Sequence, residues 1–363
     1  MVEQLIGSPE KIGITADTFG PVLVKGMSLA QLEAWCADLG QTRFRAMQLF
    51  EWMYRHGVKD PAEMTNVTKS FRHWLEKNGI WDTLSVERVQ ESQHEPTQKI
   101  LFRTRDGYFI ETVSMIDIDR HTVCVSAQVG CNAGCKFCRT GEMGLLRNLN
   151  AGEIVDQLIW VRERVDQPIT NVVFMGMGEP FLNYDQVLQA ADILHHERGF
   201  NLGATRITIS TAGVLPGIQR FITENRRYKL AISLNAPNDA LRASLMPLGR
   251  KWKINDLISA AKTIANQKKR VVMFEYVLLA AINDTDEHAR QLVELLRGIR
   301  CKLNLIPFND AGGVYSRPTD DRINEFARIM FENQDGYRVL VRWSKGEDID
   351  AACGQLSSKN TLL

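Results

Sequence analysis

Cys131, Cys135 and Cys138 form a C-x3-C-x2-C run, three soft thiolate donors within eight residues. Iron–sulfur clusters take thiolate sulfur as their ligand. A cube of four irons wants one ligand per iron, so three cysteines leave one iron open to chelate something else. That points to chemistry at the open iron rather than to electron storage alone. A zinc site is the other reading, with His121 or Cys124 as fourth ligand. Structural zinc usually draws on two ligand pairs, and the chain has neither a second C-x2-C nor an H-x3-H pair.

Such ligands need a scaffold, and from residue 121 onward strands and helices alternate. The patterning predicts strands near 122–127, 171–175, 205–210, 229–234, 271–278, 302–307 and 338–343. Helices are predicted near 151–166, 184–197, 214–224, 254–267, 286–298 and 320–333, and Asn150 with Glu153 forms a capping pair for the first. Six βα units in a row predict an α/β fold with a parallel sheet, and too few units for a complete eight-stranded barrel. The expected architecture is therefore a partial (β/α)6 barrel.

The strands alternate in polarity. Arg206, Thr208 and Ser210 share one face, as do Ala231, Ser233 and Asn235, Lys302 and Asn304, and Cys124, Ser126 and Gln128. Helix-covered parallel strands are apolar on the covered face, so the polar face predicts an interior holding something polar. A half-exposed sheet would alternate in the same way.

Upstream, residues 28–90 read as helices. Ser28–Leu32 opens one, Arg45–Tyr54 repeats apolar residues at helical spacing, and Lys69–Lys77 continues to a stop at Asn78 and Gly79. The period then changes to alternation around Arg105–Gly107, a β-hairpin signal. The expected division is a helical N-terminal domain over 1–90, a connecting hairpin over 91–120, the barrel over 121–350 and a C-terminal segment over 351–363.

In βα folds, sites form at the C-terminal strand ends. The three cysteines follow the first core strand, and Met175-Gly-Met-Gly-Glu-Pro180 follows the second. The latter fails as a dinucleotide fingerprint because Phe181 stands where the third glycine should, and no Gly-Lys-Ser/Thr makes a phosphate loop. Its glycines still let backbone approach a ligand closely. A tight turn with Pro180 opening the next helix explains the same residues.

Composition sets few limits. The chain has 363 residues, 44% hydrophobic and 24% charged, as in ordinary globular proteins. A net charge of +1 advertises no global field for nucleic acid and predicts a shallow salt dependence. Arg226–Lys229 and Lys268–Arg270 are local basic patches of the kind that usually form solvated faces. Seven cysteines, three of them clustered, show no secreted disulfide framework. No basic leader precedes an apolar run, and Val271–Ile282 is too short, and broken by Glu275, to cross a bilayer. A cytoplasmic protein without membrane contact is expected.

With Gly-Met-Gly-Glu after the second strand, the cysteine run resembles the radical S-adenosylmethionine (SAM) enzymes. The C-terminal Gly346–Leu356 narrows the resemblance to the RlmN/Cfr family of RNA adenosine methyltransferases, and to its RlmN branch. Val125–Cys131, Ile169–Val173, Leu303–Pro307, Phe44–Gln48 and Glu63–Thr65 agree, so the likeness runs over nearly the whole chain.

The resemblance implies methylation of adenine carbon 2 in 23S rRNA, at the peptidyl-transferase centre, and in tRNAs just 3′ of the anticodon. Methylation at carbon 8, as in the antibiotic-resistance relatives, is the alternative. It implies a 4Fe-4S cluster on Cys131, Cys135 and Cys138, with SAM as cosubstrate. It implies that Cys353 carries the methyl group, that Cys124 resolves an RNA adduct through a transient disulfide with Cys353, and that Glu111 accepts a proton. SAM contacts are implied for Gly178, Glu179, Ser210, Ser233, Leu234, Asn235 and Asn309. Asn235 stands where many relatives have histidine, and Arg139 replaces a usually small residue. An electron donor such as flavodoxin and a monomeric state are also implied. Cys36 and Cys301 read as structural. A non-catalytic iron–sulfur or zinc protein that binds RNA is the competing class, and Cys353, far from any ligand partner in sequence, speaks against it.

Overall fold

The computed structural model describes residues 21–267, 270–310 and 313–357. The Lys268–Lys269 pair, the first twenty residues and the last six lie outside them.

The N-terminal elements are short and amphipathic. They are β1 (Val22–Leu23), α1 (Leu29–Asp38), α2 (Arg43–Phe50), α3 (Lys69–Asn78) and β2 (Gly79–Ile80). Ser28 and Gln31 close a reciprocal capping box at the start of α1. The predicted Arg45–Tyr54 helix is α2 plus one π turn over Glu51–Arg55. Gly79 ends α3 in extended rather than left-handed backbone, because the chain passes straight into β2. A side chain there would meet the Trp81 indole at 2.5 Å.

This helical unit docks onto the core through buried polar groups. Lys25 pairs with Asp156 at 3.2 Å, and Thr83 donates to the second Asp156 oxygen through N–H and hydroxyl at 3.0 and 2.6 Å. Within the unit, the Tyr54 hydroxyl accepts the Gly26 N–H and donates to the Met27 carbonyl, both at 2.9 Å.

A ten-stranded sheet organises the remainder. Its antiparallel part is β3 (Leu84–Glu91), β4 (Thr97–Thr104), β5 (Phe109–Asp117) and β6 (Arg120–Cys124). The expected hairpin is β4–β5. It is no free connector, since β5 pairs with β6 and extends the core sheet.

After β6 the chain leaves the sheet for a small hairpin, β7 (Gln128–Cys131) and β8 (Gly144–Asn148), with the short α4 (Arg139–Glu142) between them. Sequence patterning did not separate this excursion from the first core strand. Ser126 and Gln128 therefore do not continue the inner face of β6. Ser126 donates to the Glu111 carbonyl at 2.6 Å, and Gln128 accepts the Glu179 N–H at 2.8 Å.

The βα repeat follows as α5 (Ala151–Arg162), β9 (Asn171–Phe174), α6 (Tyr184–His195), β10 (Ile207–Thr211), α7 (Leu215–Thr223) and β11 (Lys229–Ser233). It continues through α8 (Asp239–Leu245), α9 (Ile254–Asn266), β12 (Val272–Leu278), α10 (Asp286–Leu296), β13 (Cys301–Pro307), α11 (Asp320–Glu332) and β14 (Tyr337–Val341). The strand order is β14-β13-β12-β11-β10-β9-β6-β5-β4-β3, parallel from β6 to β14, so the sheet stays open between β14 and β3. Helix α8 is an addition that the patterning did not predict.

Strand register sorts the two faces. Val123, Val172, Ile209, Ile232, Phe274 and Leu303 are fully buried or nearly so, on the face that packs against the helices. The opposite face carries Cys124, Thr208, Ser210, Ser233, Glu275 and Asn304 in register across neighbouring strands. The predicted polar interior is present.

Candidate active site

Two cavities meet inside the open barrel. One, of about 160 Å³, is lined by Cys131, Cys135 and Cys138 together with Gly178, Glu179, Ser210, Ser233 and Asn235. The other, of about 230 Å³, is lined by Cys124, Arg120, Arg342, Trp343 and Lys345. Cys353, Met175 and Ile306 line both, so the Cys353 thiol belongs to the wall between them.

Gly178 turns at φ +103°, and a Cβ there would fall 2.6 Å from the Gln128 side chain, so only glycine fits. That turn aims Glu179 inward. Its carboxylate accepts the Phe181 N–H at 2.9 Å, the Thr211 hydroxyl at 2.7 Å and the Ala212 N–H at 2.6 Å. Asn235 is left-handed at φ 57°, a conformation asparagine tolerates better than most residues. Its side-chain oxygen accepts the Val277 N–H at 2.8 Å and its amide nitrogen faces Met246 Sδ at 3.3 Å, so the amide shapes the strand end. Leu234 is buried and enters through its carbonyl, which Arg242 holds. Asn309 donates to the Cys353 carbonyl at 3.0 Å and leaves its oxygen without a partner.

The segment carrying Cys353 is tied down along its length. Arg139 bridges to Asp350 at 3.2 Å and donates its backbone N–H to the Gly354 carbonyl at 2.8 Å. The ion pair and the backbone bond account for the placement of Arg139. Thr140 donates to the Leu356 carbonyl at 2.6 Å. Glu111 accepts the Ser357 N–H at 2.7 Å and faces Lys99 at 3.4 Å. Glu111 lines neither cavity.

Burial pushes the Cys124 thiol up to about 12 and also raises Cys353, while the Arg342 guanidinium pulls both down. Burial likewise pushes Cys131 up to about 12 and raises Cys135 and Cys138. Metal must displace protons from such thiols.

Two residues of this site escaped sequence reasoning. Glu275 accepts Ser210 at 2.9 Å and Ser233 at 3.4 Å, and its other oxygen has no partner. Its signal was the lone charge interrupting the Val271–Ile282 apolar run. Arg342, within electrostatic reach of Cys353, Glu275 and Cys124, was legible only as a cation inside the predicted last strand, and in the structure it stands one residue past β14.

A model of the radical SAM superfamily matches residues 125–296, and a model of the ribosomal RNA large subunit methyltransferase N-terminal domain matches residues 23–80. A Symbiobacterium thermophilum protein named probable dual-specificity RNA methyltransferase RlmN is 44% identical over 338 residues, covering 92% of this chain and 91% of its own length. The chain belongs to the RlmN family. An RlmN of Bdellovibrio bacteriovorus is 42% identical, over 93% of this chain and 84% of its own. The crystal structure of a radical SAM methyltransferase from Sphaerobacter thermophilus superposes with a TM-score of 0.87 at 46% identity, over 93% of this chain and 99% of that one. As an RlmN-family radical SAM methyltransferase, the chain uses a 4Fe-4S cluster and SAM.

The residues fit those groups. Three thiols face one cavity that also holds the buried Glu179 carboxylate and the unpartnered Glu275 oxygen. No three metal-binding side chains among the described residues converge on one point, as they would around a single ion. Thiols bound to separate irons of a cube need only face the same space. His121 does not serve as a zinc ligand in this arrangement, because its ring nitrogens contact Ser114 Oγ at 2.8 Å and the Gln167 carbonyl at 2.7 Å. No helix among the described residues is long and apolar enough to cross a membrane.

Proposed function

We propose that this chain methylates carbon 2 of adenosine in RNA, with the peptidyl-transferase centre of 23S rRNA and the adenosine 3′ of the tRNA anticodon as substrates. One observation carries the reading: Cys353 stands between the cavity of the three clustered thiols and the cavity of Cys124. A residue that takes a methyl group on one side and delivers it on the other has to occupy that position.

Carbon 2 lies between two ring nitrogens and is too electron-poor to attack a sulfonium methyl directly. When bound, the cluster and SAM supply an electron and, from it, a 5′-deoxyadenosyl radical. Cys131, Cys135 and Cys138 hold the cluster, and Glu179, Ser210, Ser233 and Asn309 with the backbone at Gly178, Leu234 and Asn235 hold SAM. Cys353 accepts and carries the methyl group. Arg342, beside it, favours the thiolate that methyl acceptance needs. Cys124 shares the second cavity and forms the disulfide with Cys353 that frees the product. Glu111 is engaged by Ser357 and Lys99, so it holds the methyl-carrying segment, and a proton-accepting role requires that contact to open. The target adenosine leaves its stack to reach Cys353.

The relatives carry the RlmN name, which supports this reading over carbon 8. A monomer working in the cytoplasm with a flavodoxin-like donor completes the proposal. Anaerobically reconstituted protein, SAM and a reductant are incubated with unmodified 23S rRNA fragment or tRNA. Digests are compared with 2- and 8-methyladenosine standards by mass spectrometry. The 2-methyl isomer is expected from both RNAs, none from Cys353→Ala, and an RNA–protein adduct from Cys124→Ala. Formation of the 8-methyl isomer alone, or normal turnover by Cys353→Ala, defeats the reading.

A further inference from the structure

The inner face of the sheet changes character along its strands. At the C-terminal ends stand the thiols and Glu275. At the N-terminal ends stand cations: Arg120 opens β6, Arg206 immediately precedes β10, Lys229 opens β11, Lys302 is the second residue of β13 and Arg338 the second of β14. Lys229 is in register with Thr208, and Lys302 is in register with Met273 and Arg338, so these side chains share the inner face. They face one another closely enough that Lys302, Arg206 and Arg120 add to burial in lowering the Lys229 ammonium.

Like charges gathered in this way cost free energy unless an anion joins them. Among the described residues, none of the five reaches a carboxylate at ion-pair distance. Asp117 pairs in register with Arg120 but is engaged by Lys345 at 3.5 Å. Arg120 lines the cavity of Cys124 and Cys353, so the cationic floor runs directly into it. The near-neutral net charge of +1 conceals this concentration.

We infer that this floor is a phosphate-binding track for the single-stranded RNA flanking the target adenosine, which therefore enters the barrel from the N-terminal strand ends. The inference rests on the RNA-methylating reading and adds the route and the residues. An acidic electron-donor protein is the other anionic partner to consider, but it must approach the cluster thiols. Those lie beyond the opposite strand ends, roughly 15 Å away at about 3.3 Å per residue. An RNA segment must reach Cys353, and the floor leads there.

The test uses full-length reconstituted protein and an anticodon stem–loop oligonucleotide with unmodified adenosine 3′ of the anticodon. Binding is followed by fluorescence anisotropy over a salt series. Lys229→Gln/Lys302→Gln is expected to weaken binding about tenfold at low salt and to lower the log–log salt slope by about one per lysine. RNA-independent reductive cleavage of SAM stays at the wild-type rate. Lys229→Arg/Lys302→Arg retains binding, and the exposed pair Arg206→Gln/Arg338→Gln, which removes no buried group, gives the same loss should the lysine variant fail to fold. Unchanged affinity and slope in the folded variants overturn the inference. So does unchanged RNA binding combined with slowed reduction by flavodoxin, which would make the floor a donor dock. Wild-type protein that neither binds nor methylates the stem–loop would defeat the functional reading as well, an outcome distinct from the other two.

Discussion

The Glu111 carboxylate accepts the backbone N–H of Ser357 at 2.7 Å, joining β5 to the segment that carries Cys353 across a sequence separation of 246 residues. Burial raises this carboxyl above its ordinary 4.5, with Lys99 opposing. A carboxyl raised in the folded state binds more protons there than in the unfolded chain, so its contribution to stability is full below 4.5 and fades as pH rises through its folded value. Wild type should therefore gain stability relative to Glu111→Gln as pH falls from neutral toward 4.5. Urea unfolding of both proteins at several pH values measures the difference, and a gain with rising pH contradicts it.

Lys25 and Asp156 form a buried ion pair, at 3.2 Å but off the angle of a good hydrogen bond, that pins the helical unit to α5. Removing one partner strands the other, and Lys25→Ala should cost about 3–5 kcal/mol. Lys25→Met/Asp156→Leu should recover much of that loss. Denaturant melts of the three variants decide it. A double variant no better than the single one would mean that Thr83, not the charge balance, governs this contact.

Glu275 presents an unpartnered oxygen to the cavity of the clustered thiols. A ligand hydroxyl or ammonium meeting it gains a charge-assisted bond, so Glu275→Ala should weaken SAM binding by about 1.5–3 kcal/mol. Equilibrium dialysis with labelled SAM against the reconstituted protein reads this directly. Wild-type affinity would assign Glu275 to the strand ends alone.

Gly178→Ala places a Cβ 2.6 Å from Gln128 at a φ of +103°. Backbone strain of about 1–3 kcal/mol adds to the overlap. The expected result is a lowered melting temperature with lost SAM binding, because the turn that aims Glu179 cannot form. Retention of both would show that Gln128 yields at little cost.

Much of the barrel was legible because strand alternation and helical spacing are local. The strands β9 to β14 lie where the apolar and polar residues repeat, and Asn150 and Glu153 make the capping box expected of them. The β7–β8 excursion was not legible, since Val125–Cys131 keeps a strand-like pattern while leaving the sheet. The contact of Glu111 with the Cys353 segment was not legible either, because its partner Ser357 lies at the far end of the chain.

By itself, the sequence determined the ligand chemistry: three thiols at C-x3-C-x2-C spacing, the glycine turn at Gly178, and a final cysteine in a recognisable C-terminal motif. Spacing within one turn or loop fixes such groups whatever surrounds them. Only the tertiary structure decided that Cys353 stands between two cavities, that Arg342 serves both thiols, and that five separate strand ends share one cationic floor. Those relations depend on register between strands distant in the chain, and a pairing shift of one residue would turn every one of those side chains to the opposite face.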